Sequence, residues 1–166
     1  MHGNGTRYYS TFVKISIIQV GKTKDAWLNE GIAEYLKRLS AFVTVNVIEI
    51  PDMSIKIAGN TESVKDREAQ TILKRLEPDD YVVLLDERGT EKTSLDFADF
   101  LISILETKHV VFVIGGVYGV DQALKTRADA CIALSRLTFT HRMARLILCE
   151  QLYRAMMIKA NRSYHI

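Results

Sequence analysis

The sequence predicts an α/β domain built on a mainly parallel sheet, and three observations predict it. The run Val110-Val111-Phe112-Val113-Ile114 has no polar alternation, which marks a strand buried on both faces, as parallel strands are. Strand-like and helix-like segments alternate along the whole chain, and 166 residues suit one domain with a substantial core. The Val110 run ends in Gly115, Gly116 and Gly119, and the strand ends of open α/β sheets are where small ligands bind.

Taken in order, Phe12 to Val20 reads as the first strand, stopped by Gly21. Asp25 is placed to cap a helix running to about Leu39, with Trp27, Leu28, Ile32, Tyr35, Leu36 and Leu39 at helical spacing. Val43 to Ile50 is the second strand, ended by Pro51, and completes a βαβ unit. Asp52 to Asn60 reads as a loop. The charged segment Thr61 to Leu76 keeps Val64, Ala69, Ile72, Leu73 and Leu76 for a surface helix covering one sheet face. Pro78-Asp79-Asp80 is a turn, and Tyr81 to Asp86 is a buried strand expected to break at Gly89.

Ser94 to Glu106 is an amphipathic helix through Leu95, Phe97, Phe100, Leu101, Ile104 and Leu105, feeding the Val110 strand. Asp121 to Arg127 supplies a short helix, and Ala130 to Leu134 a further strand followed by small, hydroxylic and apolar residues. His141 to Lys159 is the longest helix, with Thr140 as its N-cap. Its apolar residues occupy nearly the whole circumference, which predicts burial on more than one side, another subunit being one candidate for the second surface. Residues 1–12 read as an N-terminal extension and residues 13–166 as a single domain.

Composition excludes several classes. A net charge of +2 is too mild to mark a nucleic-acid binder by itself. No apolar run approaches the ~20 residues needed to span a bilayer, and no signal peptide is recognisable, so no membrane partner is expected. Cys131 and Cys149 lack the paired spacing of a zinc site; they read as buried, reduced thiols, which implies a cytoplasmic location and no metal.

Several residues invite chemistry, each with a plainer alternative. The glycine cluster is either a tight turn or a place where backbone approaches a ligand. With the serine-bearing strand end after Ala133, it would form a pocket lined by main chain and suited to an adenosine-like group. Asp86 and Glu87 fit a solvated turn better than a catalytic pair. His141 and Arg145 share a helix face, bordered by Arg142, and Glu150 and Arg154 form a second such pair. Both pairs read either as surface ion pairs or as a basic face for phosphate. The tail is either frayed or functional, with Tyr164 able to stack on a base and His165 able to move a proton.

Ordered motifs then converge. Ile114-Gly115-Gly116-Val117-Tyr118-Gly119, Leu134-Ser135-Arg136-Leu137-Thr138-Phe139 with His141 and Arg145, Glu150-Gln151-Leu152-Tyr153-Arg154-Ala155 and terminal Tyr164-His165 resemble the large-subunit ribosomal RNA methyltransferase H family, within the SPOUT superfamily. Val13-Lys14-Ile15, Val20-Gly21-Lys22, Glu34-Tyr35, Lys37-Arg38 and Ile48-Glu49-Ile50-Pro51 extend the resemblance over Val13 to His165. Two departures are a Thr140 where the family usually has proline, and the extension through Phe12, which has no family counterpart.

The resemblance implies a SPOUT-type knotted methyltransferase with a C-terminal trefoil knot, a feature otherwise rare enough to exclude. It also implies a homodimer and transfer of a methyl group from S-adenosylmethionine to N3 of a pseudouridine in 23S rRNA on the assembled ribosome. By position, the family's cofactor contacts fall on Leu85, Gly115, Gly116, Leu134, Ser135, Arg136, Leu137, Thr138 and Phe139, and its catalytic or RNA-facing groups on Arg145, Arg154, Tyr164 and His165. Within that reading His165 assists proton removal, Tyr164 packs on the base, and Arg145 or Arg154 steadies charge or phosphate. The rival expectations are a SPOUT enzyme acting on another RNA position and a non-enzymatic nucleotide- or RNA-binding module. A dehydrogenase is disfavoured, because the glycines follow a late strand with no G-x-G-x-x-G after the first.

Overall fold

The computed structural model of the chain describes residues 14–164. The extension 1–12, the start of the first strand at Phe12 and Val13, and His165 lie outside the described residues. Strand β1 (Lys14–Val20), helix α1 (Ala26–Leu39) and β2 (Thr44–Ile50) open the fold, followed by α2 (Ile55–Ala58) and α3 (Thr61–Leu73). Next come β3 (Tyr81–Glu91), α4 (Ser94–Leu105), β4 (Val110–Ile114), α5 (Gln122–Arg127), β5 (Ala130–Ala133) and α6 (His141–Lys159).

All ladder pairings are parallel, in the order β2-β1-β4-β3-β5. One register row runs Val47, Ile17, Phe112, Val83, Ala130 across the sheet. The uninterrupted hydrophobicity of β4 follows from this position. Val110, Phe112 and Ile114 face the layer formed with Leu101, Leu148 and Leu152, while Val111 and Val113 face Ala69, Ile72 and Leu124. Both faces of the central strands are therefore dry, so alternation has no polar side to display.

Helix α6 lies between α1 and α4 on one face, and no residue from His141 to Ile158 is exposed. Much of its all-round apolar surface is thus covered by flanking helices of its own chain. Thr140 caps α6 as expected, its hydroxyl accepting from the Met143 N–H at 3.2 Å. Asp25 occupies the cap position of α1 but makes no capping bond; its carboxylate instead accepts from Arg142 at 2.7 Å. At the N-terminal edge of the sheet, His109 links Ser16 (3.0 Å) to Asp80 (2.7 Å) and ties the starts of three strands together.

Three expectations are corrected. The loop 52–60 contains the single turn α2, which Gly59 ends at φ +95°. Helix α3 stops at Leu73, three residues earlier than its apolar pattern suggests. Gly89 does not break β3: the strand runs on to Glu91, shifting register against β5 between Leu85 and Thr90. There the two backbones approach so closely that a Cβ on Gly89 would fall 2.6 Å from the Ile132 carbonyl carbon. This glycine marks close backbone approach within a strand.

Candidate active site

The carboxyl ends of β3, β4 and β5 open into a cavity of about 760 Å³. Its walls are Leu85 to Arg88 from β3, Ile114 to Val120 from the end of β4, Leu134 to Phe139 without Arg136, and His141, Arg142 and Ala144 from α6. Lys65 of α3 and Lys125 of α5 complete the rim. Eight of the nine residues expected to contact the cofactor line this one space: Leu85, Gly115, Gly116, Leu134, Ser135, Leu137, Thr138 and Phe139. Arg136 does not; its side chain is 90% exposed and pairs with Glu91 at 3.0 Å.

Local geometry holds these walls. Gly119 N–H donates to the Gly116 carbonyl at 3.2 Å, closing the turn after β4. Ser135 Oγ accepts from the Leu137 N–H at 3.0 Å, and the Thr138 hydroxyl donates to Glu87 at 2.9 Å, joining two walls. Asp86 accepts from the Arg88 N–H at 2.9 Å, and Lys125 lies 3.8 Å from it. Both acidic residues are therefore engaged in shaping loops.

Behind the glycine turn lies a carboxyl that sequence reasoning passed over. Glu68 of α3 is buried, and a Cβ on Gly116 would fall 2.8 Å from its Oε2. Burial pushes this carboxyl above its ordinary 4.5; the Met53 N–H opposes the shift and the charge of Asp52 adds to it. Between the unfolded and the higher folded value, the folded chain holds a proton that the unfolded chain has lost, so stability falls as pH rises through that window. Glu68→Gln removes the titration. Its thermal midpoint relative to the parent is expected to be higher at neutral pH than below pH 4.5, and melts at the two conditions check this.

The start of α6 differs from a uniform basic face. Arg145 is turned into the core and 1% exposed: one guanidinium nitrogen donates to the Thr23 hydroxyl at 2.6 Å, another to the Val20 carbonyl, and among the described residues Nε has no partner. Burial lowers its pKa, and the nearby Glu49 works in the other direction. Arg142 is committed to Asp25. His141 lines the cavity, and among the described residues no hydrogen bond or ion pair engages its ring.

Arg154 and Tyr164 gather at the other end of α6. Glu150 accepts from Arg154, Gln151 and Tyr164, and the Tyr164 hydroxyl also lies 3.3 Å from that of Tyr35. The Arg154 guanidinium stacks 4.8 Å from the centre of the Tyr164 ring. Burial, the Tyr35 bond and the Glu150 charge push the Tyr164 phenol well above its ordinary range. At a rise of about 1.5 Å per residue, Arg154 is roughly 15 Å along the helix from Ala144, so this cluster does not face the cavity of its own chain.

Among the described residues no group of three or more His, Cys, Asp or Glu side chains is placed to hold a metal ion, and no helix is long and apolar enough to cross a membrane. Cys149 is buried, its thiol pushed up to about 12 by desolvation, and Cys131 is half-buried; both are free.

Comparison with known proteins supplies the remaining findings. The family described as "Predicted SPOUT methyltransferase" matches residues 13–165. A "Ribosomal RNA large subunit methyltransferase H" of Desulfitobacterium hafniense is 42% identical over 158 residues, covering 92% of this chain and 99% of the relative. A protein of the same name from Parabacteroides distasonis is 43% identical over 156 residues with the same coverage. The crystal structure of a probable methyltransferase from Bordetella pertussis Tohama I superposes with a TM-score of 0.57 at 12% identity, covering 88% of this chain and 96% of the other, and bears on the fold alone.

Proposed function

The chain belongs to the SPOUT methyltransferase family, and from that premise we propose that it transfers a methyl group from S-adenosylmethionine to N3 of a pseudouridine in 23S rRNA, acting as a homodimer on the assembled ribosome. The observation that carries the proposal is the convergence of Gly115, Gly116 and the segment from Leu134 to Phe139 on one strand-end cavity, in a chain related over nearly its full length to rRNA methyltransferases. The knot implied by the family is part of the same proposal.

The cavity fits the methyl donor. It falls in the range of roughly 300–1,000 Å³ common to small-molecule sites, and beside its charged rim it offers the backbone of the glycine turn and the apolar side chains of Leu85, Ile114, Leu134 and Leu137 to an adenosine group. Leu85, Gly115, Gly116, Leu134, Ser135, Leu137, Thr138 and Phe139 are proposed to hold the donor, whose sulfonium supplies an already activated methyl group. The protein's task is then to align the acceptor nitrogen with the methyl carbon and help remove the imide proton.

Arg154 and Tyr164, with His165 of the same tail, are proposed to work across the dimer, reaching the partner's cavity, because the Arg154–Tyr164 cluster points away from the cavity of its own chain. There Arg154 steadies charge, Tyr164 packs on the base and His165 assists loss of the proton. Arg145 serves by fixing the end of β1 to α6. The homodimer is supported by the exposed Trp27 and Leu95 on the two helices flanking α6, and by the half-buried Met143, Ile147 and Met157 on α6 itself. The net charge of +2 favours a preformed ribosomal surface over naked RNA.

The test is incubation of the purified protein with methyl-labelled S-adenosylmethionine and ribosomes from cells lacking the gene, followed by mapping of the labelled nucleotide. Label at N3 of one pseudouridine is the expected result. Label elsewhere overturns the substrate assignment in favour of another RNA position, and donor binding without product leaves a binding module. Preference for free rRNA over ribosomes overturns the ribosomal setting.

A further inference from the structure

We propose that His141 is a catalytic residue of this transfer, its imidazole accepting the N3 proton of the acceptor base at the wall of the cavity. The inference rests on the methyltransferase reading above.

Elimination at the start of α6 carries the argument. Three basic side chains lie within five residues, and two are already committed: Arg145 to Thr23 and the end of β1, Arg142 to Asp25. His141 alone is half-buried on the cavity wall with its ring unengaged among the described residues. Its position is fixed all the same, because it is the first residue of a helix capped by Thr140. The glycine turn of residues 115 to 119 and the segment Leu134 to Phe139 line the same cavity. An acceptor imide entering there meets a proton acceptor on a rigid element rather than on a loop.

The protonation state agrees. Burial lowers the His141 pKa below its ordinary 6.5, and the charges of Arg145 and Arg142 on the same helix lower it further. Asp52, on the segment after β2, works in the opposite direction. The amino end of α6 also disfavours a cationic ring. At neutral pH the imidazole is therefore unprotonated and able to accept. It is not the phosphate-binding cation that its basic neighbours suggested.

The step balances. The N3 proton passes to a ring nitrogen of His141, the electron pair left on N3 forms the bond to the methyl carbon, and the carbon–sulfur pair returns to sulfur, which becomes a neutral thioether. The positive charge carried by the sulfonium ends on the imidazolium, which releases its proton to solvent between turnovers. In this scheme the primary proton acceptor is His141, and His165 assists loss of the proton indirectly, alongside Tyr164, by helping to orient the base.

The experiment measures single-turnover methylation of ribosomes against pH, with both substrates saturating, in the parent protein and in His141→Gln, His141→Ala and His165→Ala. The parent rate is expected to fall on acidification with an inflection below 6.5. His141→Gln and His141→Ala should lose about 10²-fold or more at neutral pH and should lack that inflection. Calorimetric affinity for S-adenosylmethionine should be unchanged in both, which separates chemistry from a damaged pocket. His165→Ala should be slower but retain the parent's pH profile. The proposal is overturned if the inflection survives in the His141 variants, if it disappears in His165→Ala instead, or if lost donor affinity accounts for the whole effect. A parent protein that binds donor yet methylates no ribosomal nucleotide would sink the functional reading, a result distinct from any of these.

Discussion

Gly89→Ala is expected to destabilise the protein by about 3 kcal/mol and lower its thermal midpoint by roughly 6–12 °C. The added methyl group would lie 2.6 Å and 2.7 Å from the Ile132 carbonyl carbon and nitrogen and 2.8 Å from the Ala133 nitrogen. All three are backbone atoms of β5, so no rotamer change relieves the contact. The strands must separate, and β3 and β5 pair closely at this point. Function should follow stability. Leu85 to Arg88 precede the contact and Leu134 to Phe139 follow it, so moving β3 from β5 parts two walls of the cavity. Donor affinity measured by calorimetry at low temperature, where the variant is still folded, should drop sharply. A variant with the parent's midpoint and affinity would show that the two strands tolerate a Cβ between them.

The same residue shows what a sequence can and cannot display. β4 was legible because its environment is written in its own five residues: a strand dry on both faces must be apolar throughout. α6 was legible in extent, from Thr140 to Lys159, because capping and helix propensity are local. Gly89 reads as a strand end in the sequence because its role depends on Ile132, forty-three residues later in the chain. The pocket between the glycine turn and the serine-bearing strand end after Ala133 is legible in the residues themselves, while the individual positions from Leu134 to Phe139 come from the family resemblance. Lys65 and Glu68 are inconspicuous in the sequence because α3 reads as a surface helix, and only the fold brings its inner side against the glycine turn.

Arg145 is the sharper case, and its removal is the second large effect expected. The spacing from His141 correctly places both on adjacent turns, but a helix apolar around its circumference carries no stripe to say which side faces inward. Arg145→Ala should cost about 4 kcal/mol, combining the void left by a fully buried side chain with loss of the partners of Thr23 Oγ1 and the Val20 carbonyl. Arg145→Met fills most of that void and removes a buried charge that, among the described residues, has no carboxylate within ion-pair distance. It should recover much of the stability, since replacing a buried ionic group with a well-packed apolar one is often close to neutral. Urea denaturation measures both, with a lower midpoint and unchanged slope indicating lost stability alone. If Arg145 acts through the fold, methylation tracks stability and the Met variant keeps most of its activity. If it contacts RNA or the reacting base, both variants are equally inactive however well they fold. The buried bonds to β1 and Thr23 favour the first outcome, because a guanidinium that reached the substrate would have to abandon the end of β1 to do so.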